Sequence, residues 1–161
     1  MRGQIGDAGL DCFADLFSDT FMVKRDSCVL TFSDVRDGFD AFVLSPLDVA
    51  KIPLGFRCAF FVDGRPSTDY WLEICNRSGF GTVAGVVPLA SVVDSSYRGV
   101  PHYSIAKVVP GVVRITHGQK ICQAVIHPFV DPHKVQVEIV SSIDDLGVTS
   151  RGDAGFGSTG G

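Results

Sequence analysis

Long apolar runs, helical periodicity and paired cysteines are all scarce in this sequence, and each scarcity narrows what the chain can be. No apolar stretch approaches the roughly twenty residues that a membrane-spanning helix needs, so no membrane association is expected. Met1-Arg2-Gly3-Gln4 opens no secretory signal. The five cysteines (Cys12, Cys28, Cys58, Cys75 and Cys122) are odd in number and include no Cys-x-x-Cys pair. That usage predicts reduced, mostly buried thiols in a cytoplasm-like compartment. The four histidines show no metal-ligand spacing, and His127 and His133 flank Pro128 and Pro132 as loop residues would. Charge is also sparse: charged residues make up 20%, with a formal net charge of −4. No positive field is available for a nucleic-acid polymer, so none is expected as a partner. A small anionic ligand would need local cations or a metal ion.

What is present is a chain of 161 residues, 45% of them hydrophobic, enough for one domain with a substantial core. Short β-branched and aromatic runs recur between turn clusters: Cys28 to Phe32, Ala41 to Leu44, Arg57 to Val62, Tyr70 to Cys75, Pro101 to Val109, Gly111 to Thr116, Lys120 to Ile126 and Lys134 to Ser141. Many short strands with turns between them predict an all-β barrel or sandwich. The one helical signal is Ser45-Pro46-Leu47-Asp48-Val49-Ala50, with Ser at an N-cap and Pro at the first helical position. Asp34, Asp37 and Asp40 are spaced like a solvated acidic loop.

Three stretches carry chemistry. Val92-Val93-Asp94-Ser95-Ser96-Tyr97-Arg98-Gly99 reads as a strand entering a tight hairpin, which holds one carboxylate beside one aromatic face. A surface hairpin with a solvated acid has the same composition. Arg77-Ser78-Gly79 follows a strand and suits phosphate oxygens, as an exposed turn bearing an arginine also would. Arg151 to Gly161 interleaves glycines with Arg151, Phe156, Ser158 and Thr159. Glycines let backbone N–H groups converge on an anion, and arginine offers a planar fork. Asp11, set between Leu10 and Cys12, is either hydrogen-bonded structurally or turned toward a polar site.

Five segments in order resemble the five motifs of the homotrimeric dUTP diphosphatase (dUTPase) family. They are Asp7 to Asp11, Arg77 to Gly79, Val92 to Gly99, Gly118-Gln119-Lys120-Ile121-Cys122-Gln123, and Arg151 to Gly160. Each is weak alone; five in order are strong. Three positions depart from the family's habit: Asn76 for Pro, Ser91 for Gly and Lys120 for Arg.

The resemblance implies a jelly-roll β domain over residues 1–150, with extra residues within 14–53, and a glycine-rich arm over 151–161 that closes the active site. It implies hydrolysis of dUTP to dUMP and diphosphate, which keeps uracil out of DNA and supplies dUMP for dTMP synthesis. Asp94 would activate water. Backbone groups of the Pro88–Tyr97 hairpin, with Ser91, Val92 and Val93 as substrate-binding residues, would read uracil, and Tyr97 would lie against deoxyribose. Arg77, Ser78, Gln123, Arg151, Ser158 and Thr159 would hold phosphates, Gly79 and Gly157 would also bind substrate, and Phe156 would cover the base. Mg2+ would neutralise the triphosphate, with Asp11 reaching it through water. A homotrimer with shared active sites is expected, located in the cytoplasm, or in a host's cytoplasm or nucleus for a viral protein. Two alternatives are a dCTP deaminase relative and a regulatory or binding protein on the same fold.

Overall fold

In the computed structural model, residues 8–130, 135, 138–147 and 149 are described. The chain divides into two compact units, Met1–Phe129 and Val130–Gly161.

The first unit carries the strands β1 Leu10–Phe13, β2 Met22–Arg25, β3 Cys28–Leu30, β4 Ala41–Leu44, β5 Val49–Pro53, β6 Phe60–Val62 and β7 Arg65–Ser67. These are followed by β8 Tyr70–Asn76, β9 Val86–Ala90, β10 Val92–Val93, β11 His102–Lys107, β12 Val113–Thr116 and β13 Lys120–Pro128. Two short helices interrupt them, α1 Phe32–Val35 and α2 Ser78–Ala84. One sheet has the order β1-β13-β8-β10 and another the order β3-β2-β5-β11-β9, with β12 paired to β4 and β6 to β7. The all-β, jelly-roll expectation holds.

Side-chain alternation builds the core. Along β11, Tyr103, Ile105 and Lys107 are buried while His102, Ser104 and Ala106 are partly open, the two-residue period of a strand with one covered face. Cys12, Leu72, Ile74 and Ala124 of the first sheet join Val23, Ile52, Tyr103 and Ile105 of the second in one apolar cluster. Burying each large aliphatic or aromatic side chain contributes about 1.5–3 kcal/mol. The two buried charged residues among the described ones, Asp48 and Lys107, are both satisfied. Asp48 accepts from Arg25 Nε and Nη2 at 2.9 and 2.7 Å, and Lys107 Nζ donates to the Val109 carbonyl at 2.8 Å.

Several local expectations change. Ser45 to Ala50 is a turn leading into β5 rather than a helical turn. Leu47 sits at φ 71°, outside the helical region, and the Ser45 N–H donates to the Asp48 carboxylate at 2.8 Å. Phe32 leaves the strand expected there to begin α1, where the Asp34 carboxylate accepts from the Thr31 N–H and hydroxyl at 2.7 Å each. Those bonds hold the Asp34 carboxyl below the usual carboxylate range. Asp37 pairs with Arg114 at 2.6 Å, so two of the three acids in that loop have structural partners. Arg57 to Ala59 lie outside β6. The segment 14–53 supplies β2 to β5, and its Val23, Leu44, Ala50 and Ile52 lie in the core.

In the second unit, the described residues hold a 3-10 turn over Ile143–Leu146. Of the strand expected over Lys134 to Ser141, Val135 and the residues from Glu138 onward are described and lie in no strand, and the rest fall outside the described residues. Among the described residues, no helix is long and apolar enough to cross a membrane.

Candidate active site

The end of β8 delivers the first cleft. After Asn76 the chain stays extended at Arg77 (φ −81°, ψ 134°) and then turns into α2, whose first bond runs from Gly81 N–H to the Arg77 carbonyl at 2.7 Å. Gly85, in the left-handed region at φ 60°, ends the helix, and a Cβ there would lie 2.1 Å from Val109 Cγ2. The resulting cleft has a volume of about 460 Å³ and brings Asp11, Arg77, Ser78, Gly79 and Gln123 together.

Its electrostatics centre on Asp11. One carboxylate oxygen meets Arg77 Nε at 2.8 Å and the other meets Lys120 Nζ at 2.9 Å. The hydrogen bond from Lys120 and the nearby charges of Arg77 and Lys120 hold the Asp11 carboxyl below its usual range, against a smaller opposing effect of burial. Asp11 thus has structural partners and also lines the cleft. Two cations against one carboxylate leave a local positive excess in a chain of net negative charge. Nε anchors the Arg77 guanidinium, and no hydrogen bond from its terminal nitrogens is seen among the described residues. Gln123 Nε2 donates to the Asn76 carbonyl at 3.2 Å, and a Cβ at Gly9 would lie 2.8 Å from Gln123 Oε1. This is a polar, cationic recess suited to oxyanions.

The second cleft forms where the chain changes sheets. Ala90 of β9 still pairs with Ser104 of β11, but the Ser91 carbonyl accepts from Ile74 N–H at 2.8 Å and β10 pairs with β8. The expected hairpin is therefore a strand passing from one sheet to the other, closed by a turn in which Tyr97 N–H donates to the Asp94 carbonyl at 3.0 Å. Ser91, Val92, Val93, Asp94 and Tyr97 line a cleft of about 230 Å³. Ser91 does not have a positive φ, so the backbone there does not require the family's glycine. Tyr97 donates to the Val100 carbonyl at 3.2 Å, and a Cβ at Gly99 would lie 2.2 Å from the phenol oxygen. Only glycine leaves room for the ring. Arg98 Nη1 braces the turn by donating to the Ser95 carbonyl at 2.8 Å.

Lys51, His102 and Ser104 also line this cleft, and sequence reasoning did not select them. Their signal is register alone: Ser104 lies opposite Lys51, and His102 opposite Pro53. Burial, and secondarily the charge of Lys51, lower the His102 pKa to about 4, so its imidazole is neutral at pH 7. Its Nε2 lies 2.9 Å from Thr20 Oγ1.

The predicted residues thus collect in two places that share no lining residue. Asp11, Arg77, Ser78, Gly79 and Gln123 form one, and Ser91, Val92, Val93, Asp94 and Tyr97 the other. Arg151, Phe156, Gly157, Ser158 and Thr159 lie outside the described residues. No group of three or more His, Cys, Asp or Glu positioned to hold a metal occurs among the described residues.

Comparison with known proteins gives the family and the fold. The sequence model of the dUTPase family matches residues 68–160, a span that includes four of the five motif segments. The deoxyuridine 5'-triphosphate nucleotidohydrolase of Roseobacter denitrificans is 33% identical over 120 residues, covering 73% of this chain and 71% of that protein. Among solved structures, the dUTPase of Staphylococcus bacteriophage 80alpha with dUpNHpp aligns at a TM-score of 0.65 and 22% identity, covering 100% of this chain and 90% of that one. The dUTPase of phage phi11 of S. aureus, whose structure reveals the coordination of a structural Mg(II) ion, aligns at 0.60 and 19% identity, covering 88% and 90%. At such identities these two structures speak to the fold.

Proposed function

The chain belongs to the dUTPase family, and we propose that it hydrolyses dUTP to dUMP and diphosphate with the roles divided between its two clefts. The observation that carries this reading is the cationic recess of Arg77, Ser78 and Gln123 together with a separate cleft holding Asp94 and Tyr97. One suits a phosphate chain and the other a nucleoside.

In this reading, Asp94 accepts a proton from a water whose oxygen bonds to the α-phosphorus, while the bond from that phosphorus to the bridging oxygen breaks and diphosphate leaves. Asp94 is exposed at its turn, so water can reach it. General-base help of this kind is worth about 10²–10⁴-fold, and fixed positioning adds to it. Backbone groups of Ser91, Val92 and Val93 read uracil, and the Tyr97 ring closes off the space beside C2′. Arg77, Ser78 and Gln123 hold phosphate oxygens, joined by Arg151, Ser158 and Thr159, while Gly157 allows close approach and Phe156 covers the base.

Mg2+ bound to the triphosphate would neutralise its charge. Asp11 fits a contact to it through water and not direct ligation, because both its oxygens are engaged by Arg77 and Lys120. In the homotrimer that the family resemblance implies, each site would combine the Asp94 cleft of one protomer with the Arg77 cleft of a neighbour. The five free thiols suit a reducing cytoplasm, the protein's own or a host's.

The test is diphosphate release from dUTP, dCTP, dTTP and UTP side by side with Mg2+. The expected result is rapid release from dUTP alone. Release from dCTP at the same rate, or from none, would overturn the reading.

A further inference from the structure

Between Asn76 and Phe80 stand the residues of the phosphate cleft, Arg77, Ser78 and Gly79, and both ends of that segment rest on one side chain. Tyr103 of β11, fully buried, donates its hydroxyl to Asn76 Oδ1. Its ring meets the Phe80 ring edge-on, with centroids 6.4 Å apart and planes at 61°. The other half of the Asn76 amide donates to the Val86 carbonyl at 3.3 Å, and the Asn76 backbone carbonyl accepts from Gln123. Gly81 completes the fit, since a Cβ there would lie 2.8 Å from Asn76 Nδ2. Where the resembled family has a proline that fixes φ covalently, this chain has an asparagine held by hydrogen bonds on both sides of its amide.

We propose that Tyr103 and Asn76 are positioning residues that together fix Arg77, Ser78 and Gly79 for the phosphate chain. The proposal deepens the reading of the first cleft as the phosphate site and rests on it. Tyr103 is not among the residues lining the phosphate cleft; Asn76 is, with both halves of its side-chain amide held by Tyr103 and the Val86 carbonyl. Tyr103 acts from the second sheet on a segment that ends a strand of the first, between neighbours His102 and Ser104 that line the nucleoside cleft. Burial raises the Tyr103 pKa far above the ordinary phenol value, so its hydroxyl remains a donor across the working pH range. A hydroxyl with one buried acceptor has one geometry, and that geometry is passed to the turn.

The test compares the wild type with Tyr103→Phe, which keeps the ring and removes the hydroxyl, and with Asn76→Ala. Three quantities are read: kcat and KM for dUTP, competitive inhibition by inorganic diphosphate, and binding of deoxyuridine. In both variants, inhibition by diphosphate should weaken by roughly tenfold and kcat should fall by roughly ten- to a hundredfold, as for a displaced phosphate contact. Deoxyuridine binding should change less than twofold. The double variant should be little worse than the worse single one, because the two side chains act as a unit. A lower melting temperature with unchanged kcat and diphosphate inhibition would overturn the proposal, leaving the pair a packing element. So would equal weakening of diphosphate and deoxyuridine. Should Asn76→Ala fail to fold, Tyr103→Phe decides the matter alone. A wild type without dUTP turnover would instead remove the reading of the cleft itself.

Discussion

Arg77 and Asp11 meet at 2.8 Å although the strand of Asp11 and the strand that delivers Arg77 are not neighbours, β13 running between them. The ion pair therefore spans three strands, and Lys120, at the start of the middle one, completes it from the other side at 2.9 Å. This arrangement aims a guanidinium into the cleft, and it also ties the site to acid stability.

A carboxyl whose pKa is lower in the folded than in the unfolded chain stabilises the fold above its unfolded value, and that stabilisation is lost as pH falls through the folded value. Asp11 is such a group, with Lys120 the main cause. Asp11→Asn should therefore reduce stability by a constant amount at neutral pH, with the difference from wild type closing as pH falls through and below the ordinary carboxylate range. Denaturant unfolding at a series of pH values measures it. A difference that persists unchanged into strong acid would mean that the ion pair is not its source.

Asp94→Asn keeps the shape of the turn and removes the proton acceptor. Turnover of dUTP should fall by about 10²–10⁴-fold while KM stays within a few-fold. Steady-state kinetics decide, and turnover close to wild type would take Asp94 out of the mechanism.

Tyr97→Ala should open the space beside C2′ and raise UTP hydrolysis relative to dUTP. Gly99→Ala should do the same without touching Tyr97, because the new Cβ would lie 2.2 Å from the present position of the phenol oxygen and push the ring aside. The ratio of kcat/KM for the two nucleotides is the measurement. Unaltered discrimination in both variants would show that the ring does not gate the sugar.

Protomers carrying Arg77→Ala and protomers carrying Asp94→Asn should each be nearly inactive alone. In a closed trimer with shared sites, every mixed trimer regains one complete site, so equal random mixing should restore roughly a quarter of wild-type activity. Co-refolded mixtures with verified mixed trimers and no activity would exclude sites shared in this way.

Much of the fold was legible because strands announce themselves locally. Ala41 to Leu44 is a strand with the bounds its composition suggests, and β8 begins at Tyr70 and runs one residue past the expected end. Ser45-Pro46 misled because the same pair opens helices and turns, and the buried Asp48 bound to Arg25 decides for the turn. The helix α2 was invisible because Gly79 and Gly81 lower its intrinsic propensity, and it stands on the burial of Phe80 and Ala84. At the clefts, motif order singled out Arg77 and Asp94, each of which sits in a short local motif. Tyr103, Lys51 and His102 depend on which strands lie side by side, and one sequence does not write that down.

The passage of the chain from one sheet to the other at Ser91 has a practical consequence. The bond from the Ile74 N–H to the Ser91 carbonyl ties that crossing to β8 at the rim of the Asp94 cleft, and Ile74 itself lines that cleft. A nucleoside seated there would act as a clasp across the seam, and opening the seam would first require expelling it. Protection of the Ile74 amide against hydrogen exchange should then rise with deoxyuridine concentration, giving a single backbone proton that reports occupancy without any turnover.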